Sequence, residues 1–597
     1  MNNSLYAFLC ILLLFSCKEE SNKKSQEATD LPPITDVFQA YYEDNLKIDP
    51  IDATFSGKTE YNDMLPNTLS LVFIDRKKQF YRNYLSKLAQ YDTDQLSEED
   101  YLSYNVLKWQ CETGLKQLEF PYNRLVPINQ FSSLPQTIGQ FASGMSAQPF
   151  HTLQDHEKWL SRLGDYLVWC DTAIVNMRKG IGDGYILPKS LIEKVIPQME
   201  ALAKGPPSEH LFFGPVKTFP DIFTDKQKDS LRAVYSEVID KRVIPQYQKL
   251  TEFFRDEYLP AGRTTSGIGD IPDGAAYYQQ QIKIYTTTEL TAEQIHEIGL
   301  AEVARLESEM EKVMDEAGFK GTLPEFFDAI RNNKDLMPYN KPEQVIEHFY
   351  AIYDKMKPNL KKLFDLTPRT GFEVRRTEAF REESASAEYN QGSLDGTRPG
   401  IFYVPIPDVK AYNILSDEDL FLHEAIPGHH YQISLQQENT DLPAFRKTIW
   451  YSAYGEGWAL YSESLGKELG LYTDPYQYFG MLSAEMHRAI RLVVDTGIHA
   501  KGWSREKAIE YSLSHEAESE ASVIAEIERY MSWPGQALSY KIGQLKIIEL
   551  RNKAHKAFGD KFDIKEFHNR VLESGCLPLE LLEDKINRWI MAENKAG

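Results

Sequence analysis

The run His423-Glu424-Ala425-Ile426-Pro427-Gly428-His429-His430 places three histidines and a glutamate within eight residues. Zinc hydrolases use such groups: imidazoles bind the ion, and the carboxylate after the first histidine takes a proton from water. Four His-Glu pairs occur, at 156–157, 296–297, 423–424 and 515–516, and only His423-Glu424 is followed by another histidine within eight residues. The other three read as solvated helix residues. Two ligand histidines usually stand one turn apart, and this run departs from that spacing. On an ideal helix His423 and His429 point about 120° apart, while His423 and His430 are nearly eclipsed but roughly 10 Å apart along the axis. Pro427 cannot donate to the carbonyl of His423 and must kink or bulge the helix, and Gly428 makes the distortion cheaper. A bulge of one or two residues turns His429 back toward His423. His429 is therefore the favoured second ligand and His430 the alternate.

A third protein ligand is expected, with one position left for water. Tyr454-Gly455-Glu456-Gly457-Trp458-Ala459-Leu460-Tyr461-Ser462-Glu463 offers a small-residue helix entry that lets a carboxylate approach closely, and Glu456 is the choice. Glu463 follows two turns later on the same face, as the alternate ligand or as a carboxylate that orients a histidine. Zinc would lower the pKa of water and polarise a scissile carbonyl, with Glu424 as general base and then acid. The oxyanion donor is open among Tyr540, Tyr530 and His499. Arg398 could pair with a substrate carboxylate, favouring carboxypeptidase action, whereas a free amino terminus would call for an acidic group. Carboxypeptidase, aminopeptidase and oligopeptidase readings all stay open, as does the natural substrate.

The elements that must position these residues read mostly as amphipathic helices separated by turn clusters. Ser416-Asp417-Glu418-Asp419 caps a helix start before His423. Apolar residues recur at three- and four-residue intervals in Ser97 to Leu118 and Thr152 to Arg178. A Gly, Pro and Thr-containing break runs from Gly262 to Gly274, and Thr288-Glu289-Leu290-Thr291 opens a long helix from Ala292 to about Ala317. The main strand candidate is Gly400 to Ile406, where Pro405 suggests an edge. Such an edge could pair with an extended peptide, or the segment could be a short structural hairpin. These elements give a mostly α chain with a small β element beside the active-site helix. An N-terminal helical lobe spans 35–270 and a catalytic lobe 271–597, together one structural domain.

Leu5 to Phe15 is an apolar run of signal-peptide length. Leu14-Phe15-Ser16-Cys17 resembles a bacterial lipobox, which makes 1–17 a lipoprotein signal peptide, Cys17 the lipidated residue and the polar segment 18–34 a flexible tether. Lys18-Glu19-Glu20 looks like the surface-export signal of some bacterial lipoproteins. The expected location is the outer membrane, at its periplasmic face or the cell surface. A net charge of -22 repels phosphate backbones and anionic headgroups, so nucleic acid is excluded as a partner and membrane contact is through the lipid alone. Cys111, Cys170 and Cys576 make neither a disulfide framework nor a zinc knuckle. Oligomeric state is open.

The runs His423 to His430, Glu456 to Glu463, Arg491 to His499 and Pro534-Gly535-Gln536-Ala537 through Arg551 resemble the bacterial family known as domain of unknown function 885. Asp395 to Gly400 and Tyr285 to Thr291 fit it too, and the likeness runs from about Val37 to Trp589. The resemblance implies a two-lobed, zincin-like (gluzincin) helical fold related to oligopeptidases and angiotensin-converting-type carboxypeptidases, with a deep cleft. The Glu456 context is similar to the segment that supplies the glutamate ligand in gluzincin aminopeptidases, and a tyrosine after the third ligand in such enzymes favours Tyr540. The expectation is a zinc metallopeptidase acting on short peptides. The alternatives are a non-catalytic, lipid-anchored peptide-binding protein and a zinc hydrolase of a non-peptide amide.

Overall fold

Helices begin where side chains can cap them. The computed structural model describes residues 31–378, 382, 385–394, 396 and 398–596, so the signal segment with Cys17, the tether up to residue 30, Asp395 and Thr397 lie outside the described residues. The Ser97 hydroxyl accepts the Asp100 N–H to open α1 (Glu98–Gln117). Thr152 and Asp155 form a reciprocal pair at the start of α2 (Leu153–Asp183), and Thr291 and Gln294 do so for α3 (Ala292–Glu316). Such pairs satisfy N–H groups that the first turn leaves without partners, which is why these starts were legible. Next comes α4 (Pro342–Leu363).

The only sheet among the described residues is three-stranded and mixed: β1 (Phe372–Arg376), β2 (Glu388–Asn390) and β3 (Gly400–Val404), in the order β1-β3-β2. β3 runs parallel to β1, with Val374 opposite Phe402, and antiparallel to β2, with Tyr389 opposite Phe402. This corrects the expected edge strand. Pro405 falls just past the end of β3, where its missing N–H costs no ladder bond, and β3 is the centre of the sheet. The edge that faces the cleft described below is β2. Phe402 packs edge-on against Phe349 of α4, 5.1 Å between ring centres, and so fixes the sheet on the helical body.

The remaining elements that matter for the site are α5 (Asp417–Glu424), α6 (His429–Glu438), α7 (Ser452–Glu463), α8 (Pro475–Ala500), α9 (Glu520–Ser532) and α10 (Ser539–Phe558). Helix α3 lies along α8, α7 along α10, and α5 against both α7 and α8. Buried apolar residues from Ile34 to Ile590 form one connected core. Among the described residues no helix is long and apolar enough to cross a membrane.

All three isolated His-Glu pairs depart from the solvated reading. His156 is fully buried with Nδ1 2.9 Å from the Tyr235 hydroxyl, and His296 is buried with Nδ1 2.8 Å from the Thr496 hydroxyl. Burial lowers both imidazole pKa values, so each is a neutral core group with a hydroxyl partner. His515 is half-buried and stacks on Tyr511, and Glu516 is buried with Oε2 2.6 Å from Nδ1 of His487.

Helices α7 and α10 meet through glycine. A Cβ on Gly543 would collide with the carbonyl oxygen of Ala453 and stand 2.7 Å from the Cα of Gly457. Replacing Gly543 with alanine should cost about 1–3 kcal/mol in thermal or urea unfolding, although alanine favours helix. Gly182, near the end of α2 with nothing within 4 Å of a Cβ, is the control. Its alanine variant should be neutral or slightly stabilised, and equal effects at both sites would refute the close crossing.

Candidate metal centre

Helix α5 does not merely kink at Pro427; it ends. Ala425 leaves the helical region at φ -107, ψ -98, the Ile426–Pro427 peptide is cis, and Gly428 sits at φ -76, ψ -128 before α6 starts at His429. A Cβ at Gly428 would lie 2.6 Å from the carbonyl carbon of His423, so only glycine allows the chain to pass this close to the helix it has left. The indole N–H of Trp458, on α7, donates to the Pro427 carbonyl at 2.8 Å and ties the break to the neighbouring helix. The Tyr431 N–H reaches back across the break to the Ala425 carbonyl at 3.4 Å, six residues instead of four, so the break takes up two extra residues, as the expected bulge of one or two would.

The turn brings His423 and His429 face to edge, with ring centres 4.7 Å apart and planes at 87°. Both Nε2 atoms face Oε2 of Glu456, at 3.6 and 3.4 Å respectively. One ligand atom from each residue lies within 4.8 Å of the others, and the two histidines are buried. Direct hydrogen bonds prefer 2.7–3.2 Å. Tetrahedral zinc with bonds near 2.0–2.1 Å holds its ligand atoms roughly 3.3–3.4 Å apart, which fits these separations. The group could hold a metal.

Glu463 stands behind this group rather than in it. Its Oε1 lies 2.6 Å from Nδ1 of His423 and fixes the ring with Nε2 turned toward Glu456. Seven residues separate the two glutamates, which places them on one face of α7. Burial disfavours a charged His423, yet Glu456 and Glu463 outweigh it and raise the pKa to about 10. Burial likewise opposes ionisation of Glu456, but His429 and His423 hold its carboxyl well below the usual range. Such a carboxylate stays an anionic ligand at any physiological pH.

His430 points elsewhere, as the 100° step between helix neighbours requires. Its Nδ1 is 3.0 Å from the Tyr389 hydroxyl on β2, its ring lies 5.5 Å from that of Phe372, and burial lowers its pKa to about 4. Glu424 is buried, which raises its pKa; His423 and His429 pull it back down and Glu456 pushes it up.

His423, Glu424, His429 and Glu456 line a cavity of ≈ 700 Å³ together with Tyr389 of β2 and Tyr540 of α10. Tyr540 carries the Arg491 guanidinium 4.5 Å above its ring. The other two oxyanion candidates are not on this wall. Tyr530 donates to Glu526 at 2.7 Å and accepts from Nε of Arg491 at 2.9 Å. His499 accepts the Ile268 N–H at 3.0 Å on Nδ1 and donates from Nε2 to the Tyr530 carbonyl at 3.0 Å. Arg398 is exposed and away from the cavity lining. The residues that sequence reasoning missed are Arg488, Arg491 and Arg529, all of which line the cavity. A signal existed: Arg488 and Arg491 interrupt a stretch of α8 whose Met486, Ala489, Ile490 and Leu492 are buried.

Metal titration separates these roles. His429→Ala should abolish stoichiometric binding and His430→Ala should retain it. Glu463→Ala should weaken affinity on the order of 10–100-fold, because His423 loses the partner that orients it. Chelator competition on the folded variants measures all three, and loss of metal in His430→Ala with retention in His429→Ala would reverse the assignment.

No curated protein matches the chain in sequence. A solved structure of a candidate lipoprotein from Colwellia psychrerythraea is 30% identical, with a TM-score of 0.84 over 94% of this chain and 99% of that one. A second, a candidate lipoprotein of unknown function from Shewanella oneidensis, is 19% identical and shares the fold at a TM-score of 0.74, over 93% of this chain and 99% of that one. The model of a family described as a bacterial protein of unknown function matches residues 50–586, and the chain therefore belongs to the domain of unknown function 885 family.

Proposed function

We propose that the protein is a zinc-dependent peptidase of short peptides. The observation that carries this reading is the placement of Glu424 in the same cavity wall as His423, His429 and Glu456, with Tyr540 also lining that cavity. Two imidazoles and a carboxylate are a zinc donor set of the catalytic kind, which leaves a position open. Zinc held there would supply an acidified water and a Lewis acid for the substrate carbonyl. Glu424 accepts the proton of the attacking water and passes it to the leaving amine as the C–N bond breaks. Burial raises its carboxyl pKa and so strengthens it as a base. Tyr540 donates its phenolic hydrogen to the oxyanion that forms on the carbonyl. Arg491, stacked on the ring, holds the side chain in place.

Cavity size supports peptides over proteins, since ≈ 700 Å³ falls within the range of small-ligand sites. Cys17 would carry the lipid that anchors the domain to an exported membrane face, and two proteins of the same fold are described as candidate lipoproteins.

Purified protein should contain close to one zinc per chain, lose activity on chelation and regain it with zinc. Glu424→Gln should lower kcat by about 10²–10⁴ with the metal retained. Tyr540→Phe should lower kcat on the order of 10²–10³ with little change in KM. Undiminished hydrolysis by Glu424→Gln would sink the mechanism, and peptide capture without cleavage by the unsubstituted protein would make it a binding protein.

A further inference from the structure

The wall formed by α8 and α9 holds more positive charge than it neutralises. Arg491 donates from Nε to the Tyr530 hydroxyl and from Nη2 to Glu526 at 2.9 Å, while its Nη1 is buried without a partner. Arg529 shares the same Glu526, at 3.1 and 3.2 Å, and reaches the Gln536 side-chain oxygen at 2.5 Å. His487 also approaches Glu526, at 3.7 Å, but pairs more closely with Glu516, at 2.6 Å. One carboxylate therefore serves two guanidinium groups.

Arg488 adds a third. Its hydrogen bond is from Nη1 to the Ala484 carbonyl at 3.1 Å, its Nε is buried without a partner, and among the described residues no carboxylate lies within 4.0 Å of it. Its charge pulls down the buried Asp419 and Glu424 carboxyls of α5, but neither of them contacts it directly, which is unusual for a half-buried guanidinium in a chain of net charge -22. Glu518, which lines the cavity just before α9, is exposed.

Unneutralised charge in a partly dry cleft is costly, and an incoming anion relieves the cost. The planar fork of arginine matches a carboxylate through two parallel hydrogen bonds. Arg488 is one helical turn from Arg491 on α8, and α5, which carries Glu424, packs directly against α8. Both residues line the cavity and the Arg488 charge acts on Glu424, so a carboxylate held at Arg488 lies on the same side of the cleft as a peptide bond presented to Glu424. Every peptide has such a group at its C-terminus, and an aspartate or glutamate side chain is the other source.

Resting on the peptidase reading above, we infer that Arg488, flanked by Arg491, binds the free C-terminal carboxylate of the substrate, so that the protein trims one or two residues from peptide C-termini. In that reaction the oxygen of water bonds to the carbonyl carbon of the last or second-to-last peptide bond, the C–N bond breaks, and the amine takes a proton and leaves as a free amino acid or dipeptide. Arg398 has no part in it.

A random hexapeptide library tests this, prepared once with free acid C-termini, once with C-terminal amides and once with acetylated N-termini, with acidic residues present in all three. Cleavage is read by mass spectrometry. The free-acid and acetylated libraries should be shortened from the C-terminus, and the amidated one should react with kcat/KM lower on the order of 100-fold. Arg488→Gln should reduce that preference to about threefold or less with zinc content and melting temperature kept, and Arg488→Lys should retain part of it. Equal rates on acids and amides, or preference intact in Arg488→Gln, overturns the assignment. Amides cut only beside acidic residues would move the carboxylate to a side chain and overturn it equally. Cleavage of nothing refutes the peptidase reading alone; equilibrium capture of the intact libraries then decides, with preference for free acids sustaining the subsite and equal capture overturning it.

Discussion

The site depends on one constraint, the break in the helix between Ala425 and Gly428. His423 and His429 belong to different helices, and no continuous helix would bring their Nε2 atoms onto one carboxylate oxygen. The break is held from outside: Trp458 caps the Pro427 carbonyl from α7, the helix that also carries Glu456 and Glu463. Ligand spacing and ligand orientation are therefore set by the same helix–helix contact. The fully buried indole packs 6.2 Å from Phe364 and 5.6 Å from His568, so the contact is anchored in the core.

Around the site, charge is buried on a scale that needs organised compensation. The first turn of α5 places Asp417, Glu418 and Asp419 out of solvent. The amino end of a helix favours such groups, and two of them find more: Tyr412 donates to Asp417 at 2.9 Å, and Lys355 and the Tyr472 N–H meet Glu418. Burial still raises the Asp417 pKa to about 7. Lys541, fully buried in α10, sits between Glu302 at 2.8 Å and Glu485 at 2.5 Å and links α3, α8 and α10 beneath the cavity. The hydrogen-bonded acids and bases act as fixed struts, whereas the three cavity arginines exceed their partners.

Much of this was legible in the sequence, for reasons that can be named. Caps at Ser97, Thr152 and Thr291 are local, so those helix starts could be read from neighbours in the chain. The residues that meet at the site, His423, His429 and Glu456, could be nominated by type and approximate spacing. The choice between His429 and His430 needed the dihedral angles at Ala425 and Gly428, which a residue count does not contain. Glu456 and Glu463 share a helix face, and their different positions depend on where α5 lies against it. The edge-strand expectation failed because Pro405 was read as part of a strand that stops at Val404. His156 and His296 were misread because an adjacent glutamate suggested solvent, whereas the imidazoles face Tyr235 and Thr496 inside the core. The arginine wall is assembled from α8 and α9, and its charge surplus exists only in three dimensions.

The seven-residue interval on α7 has a consequence for the lengths this sequence can tolerate. Glu456 faces the two imidazoles and Glu463 holds the far side of one of them, so the helix is gripped at two points two turns apart. Adding or removing one residue between them would rotate one carboxylate by about 100° and shift it by about 1.5 Å, and no adjustment of the other restores both contacts. Substitutions along the segment are a matter of packing; its length is a matter of register. Through this interval the chain carries a ruler for its own metal site, and variation in size has to be taken up in the loops outside it.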